Sequence, residues 1–79
     1  MNKYNSADFR ANPEKYKLFN TAEIAVNFPT INVKIGDVVA IKWHDNKPNQ
    51  FKNEPLEPVY EVHGFTHYVY ASALKNFLL

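Results

Sequence analysis

The chain predicts a mainly β fold, a small antiparallel barrel or curved sheet of four or five strands behind a short helical arm. Three observations carry this reading. From Ala22 onward the apolar residues recur with period two, the spacing of a half-buried strand. The dipeptides Gly36-Asp37 and Gly64-Phe65 punctuate runs of β-branched and aromatic residues. Finally, 79 residues with 46% hydrophobic and 15% aromatic content make one core and leave no room for a second. Residues 1–20 are accordingly expected to form a helical arm packed on the body, and residues 21–79 a single β domain with a long loop over 44–58.

Taken in order, Ser6 or Asn5 caps a short turn through Arg10, and Asn12-Pro13-Glu14 places an N-cap, a proline and an acidic first turn in succession. Phe9, Tyr16, Leu18 and Phe19 are expected to tuck this arm against the body, since four large apolar groups are costly on a free tail. Ile24, Val26 and Phe28 alternate with polar or small residues until Pro29-Thr30, and Ile31, Val33 and Ile35 resume the phase until Gly36-Asp37. Val38 to Trp43 carries apolar groups on both faces, which predicts a central or strongly curved strand. His44 to Pro58 contains Pro48, Pro55 and Pro58 and reads as the one long loop. Val59–His63 and Thr66–Ala71 flank Gly64-Phe65 as an antiparallel hairpin. Ser72 to Asn76 suits one helical turn before a closing segment, Phe77-Leu78-Leu79.

The segment INVKIGDVVAIKW resembles the long curved strand of Src-homology-3-like barrels, and YVYASALKNFLL resembles their ending, a strand leading through a single 3₁₀ turn into a terminal strand. The resemblance spans roughly two-thirds of the chain, and by position it implies Val39, Ile41, Val69 and Leu74 as core. Signalling members of that family bind proline-rich peptides through a tyrosine-rich first loop, a tryptophan opening the third strand, and a Pro and Tyr around the 3₁₀ turn. Here the third strand begins Pro58-Val59-Tyr60 and the last two positions read Tyr70 and Ala73, so polyproline recognition does not carry over. Ten asparagines and eight lysines against one arginine describe an AT-rich gene. A short Lys/Asn-rich chain without an enzyme motif also resembles the accessory proteins of bacteriophages and prophages, many of which block a host protein as anti-CRISPR or other counter-defence inhibitors.

Charge and chemistry narrow the function classes. Nine Lys plus Arg against eight Asp plus Glu supply no general basic field for a phosphate backbone. Without cysteine there is no disulfide, thiolate zinc site or Cys nucleophile. His63 and His67 have the H-x₃-H spacing of zinc ligands, but Gly64 puts a turn between them, so no metal is assigned. Ser6, Thr21, Thr30, Thr66 and Ser72 stand in no nucleophile signature, two glycines cannot write a phosphate loop, and Glu54 and Glu57 sit in a poor platform for paired carboxylates. No enzyme and no cofactor is expected. The N-terminal MNKYNSADFR lacks a signal-peptide apolar run and no segment suits a bilayer, so a cytoplasmic protein is expected.

The aromatic residues point to binding. If Val69 is core, Tyr68 and Tyr70 face outward together, in a stretch from Tyr60 to Tyr70 without Lys or Arg. Tyr68, Tyr70, Trp43, Phe51, Lys47 and Lys52 are therefore the candidate partner-binding residues of a non-catalytic module that binds a host or self protein. One alternative is a single-stranded nucleic-acid binder that uses the same tyrosines with Lys42, Lys47 and Lys52. The other is a homo-oligomer, a homodimer for example, that pairs an exposed edge strand with its twin.

Overall fold

Asn5 starts the first helix by accepting backbone N–H bonds from Ala7 and Asp8 at 2.9 and 3.1 Å. This helix, α1, spans Ser6–Ala11 in the computed structural model, which describes residues 4–79. A 3₁₀ turn over Pro13–Lys17 follows, with the proline at its first positions and Glu14 in its acidic first turn. Asp8 joins the two pieces by accepting from Lys15 Nζ and from the Tyr16 hydroxyl at 2.7 Å. The hydrogen bond from Lys15 is the larger influence holding the Asp8 carboxyl below its usual range.

Phe9 and Tyr16 are buried, as the arm requires. Leu18 is not: it is 66% exposed, at the cap where the 3₁₀ turn ends and the chain leads toward the first strand. The Tyr16 ring meets Phe9, Phe19 and Phe77 edge-on with centroids at 5.5, 5.4 and 5.8 Å, the offset geometry that the ring quadrupoles favour. Across this contact Tyr60 donates its hydroxyl to the Tyr16 carbonyl at 2.7 Å.

The body is a five-stranded antiparallel sheet, with β1 Thr21–Ile24, β2 Val38–Asn49, β3 Glu54–Val62, β4 Val69–Tyr70 and β5 Leu74–Leu78 in the order β4-β3-β2-β1-β5. A 3₁₀ turn, Ala71–Ala73, links β4 to β5. The sheet does not close into a barrel: β4 adds only two residues before the 3₁₀ turn begins, too few to build a ladder to the opposite edge. Ala22, Ile24, Ile41, Tyr60, Val62, Val69, Ala71 and Leu74 form the buried cluster. Three of the four implied core positions are among them, while Val39 packs against the cluster half-buried.

Several expected boundaries move. β1 ends at Ile24 and no strand forms over Ile31–Ile35; residues 25–37 are a loop instead. Its backbone donors are used locally, Ile31 N to the Phe28 carbonyl and Asp37 N to the Lys34 carbonyl, while Lys34 N donates to the Asp37 carboxylate at 2.8 Å. Gly36, at φ +95°, then lets the chain return and donate to the Ile24 carbonyl at 2.8 Å.

The largest correction concerns residues 44–58, which are no loop. β2 continues to Asn49 and β3 begins at Glu54, so all but a short 3₁₀ tip, Gln50–Lys52 with Asn53 in the left-handed region, belongs to a long hairpin. Pro48 falls at a register irregularity between Lys47 and Asn49. Pro55 and Pro58 lie on a part of β3 that β4 does not cover, since β4 pairs only with Val59 and Tyr60. A missing N–H is tolerated at a bulge or where no neighbouring strand asks for it, and Pro58, although fully buried, has no partner on β4, which is why three prolines do not break the pairing. The second hairpin is shorter than expected, β4 beginning at Val69 after a turn at Gly64 with φ +87°. The last helical turn begins at Ala71, one residue earlier than expected, and β5 already at Leu74.

Candidate functional site

Glu57 is fully buried on β3, next to the hairpin tip. One carboxyl oxygen accepts the Ser72 backbone N–H at 2.7 Å and the other accepts from Asn49 Nδ2 at 3.2 Å. Asn49, also buried, places its Nδ2 3.4 Å from the Ser72 hydroxyl and accepts the Phe51 N–H on its Oδ1 at 3.2 Å. A buried polar group is costly unless bonded, and these bonds meet the cost while tying β2, β3 and the Ala71–Ala73 turn together. Close by, Tyr70 donates its hydroxyl to the Pro48 carbonyl at 2.8 Å, which fastens β4 to the hairpin.

Asn49, Tyr70 and Ser72 of this polar knot, though not Glu57, also line a cavity of about 240 Å³. Its walls are apolar: Val26 and Phe28 from the 25–37 loop, Phe51 from the hairpin tip, and Tyr68, Tyr70 and Ala73 from the β4 side. Phe28 is braced edge-on against Phe65 with centroids at 5.3 Å. Tyr68 lies flat on the His44 ring, 3.9 Å apart and 8° from parallel, and stays 52% exposed. Phe51 is 97% exposed. The cavity thus combines apolar walls and an almost fully exposed ring with a few hydrogen-bonded polar side chains.

The structure brings together Tyr68, Tyr70, Phe51 and Lys52 as linings of this one cavity. It places Trp43 and Lys47 elsewhere. Trp43 is half-buried against the core, donates its indole N–H to Asn46 Oδ1 at 3.0 Å, and carries the Lys17 ammonium 4.9 Å above its ring. Lys47 is exposed on β2 opposite Glu57 in the ladder. From sequence, Ser72 reads only as a hydroxyl without a nucleophile signature and as a turn residue, Val26 and Phe28 read only as strand residues, and Asn49 is one member of a long loop. The period-two pattern had placed Phe28 in a strand, and no spacing signal links positions 26–28, 49–52 and 68–73.

Tyr68 also borders a more polar hollow of about 270 Å³ with Glu61, Thr66 and His67. His63 and His67 are both exposed, and among the described residues no three His, Asp or Glu side chains are grouped to hold a metal ion. No described helix is long and apolar enough to cross a membrane. No family model, curated protein or solved structure matches the chain.

Proposed function

We propose that the chain is a non-catalytic protein-binding module whose contact surface is the cavity under Phe51. The observation that carries this reading is Phe51 itself, 97% exposed at the tip of a hairpin whose base is held by the buried Glu57–Asn49–Ser72 bonds. Aromatic side chains on a preorganised frame give up little conformational entropy on binding, which makes them the usual anchors of protein interfaces. Size and composition extend the proposal to an inhibitor of a host protein, of the kind phages encode, acting by covering a surface that its target needs. The strand, 3₁₀ turn and strand that end the chain are the feature supporting the likeness to Src-homology-3-like folds, here in an open form.

Two alternatives have less support. A nucleic-acid groove needs several cations, yet of Lys42, Lys47 and Lys52 only Lys52 lines the cavity, and Lys42 faces Glu61 in the ladder. Self-pairing needs a long free edge, whereas β4 has two residues and β5 is interrupted at Asn76, with φ +51°.

Selection of a random displayed peptide library on the immobilised full chain tests the proposal. Sequences are expected to be enriched that bind the wild type and fail to bind Phe51→Ala and Tyr68→Ala, with both variants keeping the wild-type circular dichroism. Failure to enrich any sequence that depends on these two residues overturns it.

A further inference from the structure

Resting on that reading, we infer that the cavity selects an extended peptide segment in which an apolar side chain is accompanied by a carboxylate, the apolar group entering beneath Phe51 and the acid meeting Lys52 and the Ser72 hydroxyl. The polar equipment of the cavity is one-sided. Lys52 is the one charged side chain among the described residues that line it, and it makes no ion pair among them. The Ser72 hydroxyl accepts from Asn49 and donates to no acceptor among the described residues.

Apart from the Tyr68 hydroxyl, which is neutral and makes no hydrogen bond among the described residues, the other polar side chains of the cavity are already engaged. Asn49 uses its amide on Glu57, Ser72 and the Phe51 N–H. Tyr70 has given its proton to the Pro48 carbonyl. Glu57, bonded to two of the lining residues, is fully buried with both oxygens occupied, and neither it nor Glu54, two residues along the chain, forms an ion pair with Lys52. With Lys52 the single charge on the lining and no lining carboxylate to balance it, the cavity favours an anionic ligand and disfavours a basic one. The apolar walls of Val26, Phe28 and Ala73 favour a partner that brings hydrocarbon or aromatic surface along with its charge.

The peptide selection is read a second time for composition. Enriched sequences are expected to place Asp or Glu within a few positions of a large apolar residue. A synthetic peptide of that kind, followed by fluorescence anisotropy, is expected to bind Lys52→Glu about tenfold more weakly, a difference of about 1.4 kcal/mol. Selection on Lys52→Glu itself is expected to enrich Lys or Arg at the acidic position. Ser72→Ala keeps the backbone N–H that holds Glu57 and is expected to weaken the acidic peptide severalfold.

Enriched sequences that depend on Phe51 but show no acidic preference, or an affinity unchanged in Lys52→Glu, overturn this inference and leave the binding module standing. No Phe51-dependent sequence at all overturns both. A single-stranded oligothymidylate that displaces the peptide, with affinity falling steeply as salt is added, overturns both in favour of nucleic acid.

Discussion

Two aromatic groups of this protein, one under the arm and one around the 240 Å³ cavity, use the same kind of side chain in opposite ways. Where the arm meets the sheet, Phe9, Tyr16, Tyr60 and Phe77 lie with centroids 5.5 to 5.8 Å apart, and the Tyr16 and Tyr60 hydroxyls are both bonded inside the protein. At the hairpin tip Phe51 and Tyr68 are 97% and 52% exposed, and only Tyr70 has its hydroxyl tied down. The difference lies in what converges on the rings. At the arm, a helix, a 3₁₀ turn, β3 and β5 meet from several sides, whereas the hairpin tip extends past the point where β4 stops covering β3. Enclosure makes the first cluster a source of stability, and its absence leaves the second free for recognition.

If that contrast holds, substitutions should divide cleanly between stability and binding. The largest effect is expected from Tyr60→Ala, which empties a fully buried site and removes the bond to the Tyr16 carbonyl; urea denaturation should show a loss of about 4 kcal/mol. Glu57→Ala comes next. It strips the Ser72 N–H and Asn49 amide of their acceptor, and a loss of about 3 kcal/mol is expected, with the hairpin tip losing amide-exchange protection before the arm.

A pH titration sharpens the comparison further. Burial is the first cause holding the Tyr16 and Tyr60 hydroxyls well above their ordinary value of 10.0. The unfolded chain therefore loses these protons near pH 10 while the folded chain keeps them, so their contribution is complete below pH 10 and declines as pH rises above it. Each group adds a slope of at most about 1.4 kcal/mol per pH unit, and Tyr60→Phe should remove its share. The smallest stability effect is expected from Phe51→Ala, within about 0.5 kcal/mol by the same denaturation assay, together with loss of the selected peptides. A large destabilisation by Phe51→Ala would erase the distinction between the two groups.

Much of the fold was legible because it depends on neighbours in the chain. The Asn5 cap and the proline-led 3₁₀ turn follow from side-chain chemistry within a few residues, while the burial of Ile41, Val69 and Leu74 is what the resemblance to Src-homology-3-like segments implies by position. Of the two tyrosines expected to face outward together beside a buried Val69, Tyr68, just before β4, is exposed, but Tyr70 is half-buried because its hydroxyl is drawn to the Pro48 carbonyl. Residues 44–58 were illegible for the opposite reason: proline content is a local signal for a loop, and only the partner strand with its irregular register and uncovered edge makes those prolines admissible.

By itself, then, the sequence determined a mainly β chain, its capped arm, most of its core positions and a surplus of aromatic residues beyond what one side of the sheet buries. Only the tertiary structure decided that the sheet stays open, that Trp43 leans on the core, and that Tyr68, Tyr70, Phe51 and Lys52 share one cavity with Asn49 and Ser72. The physical reason is range. Periodicity and capping act across one turn or one strand, whereas the cavity exists only after three segments far apart in the chain are held together by the buried carboxyl of Glu57 and the hydroxyl of Tyr70.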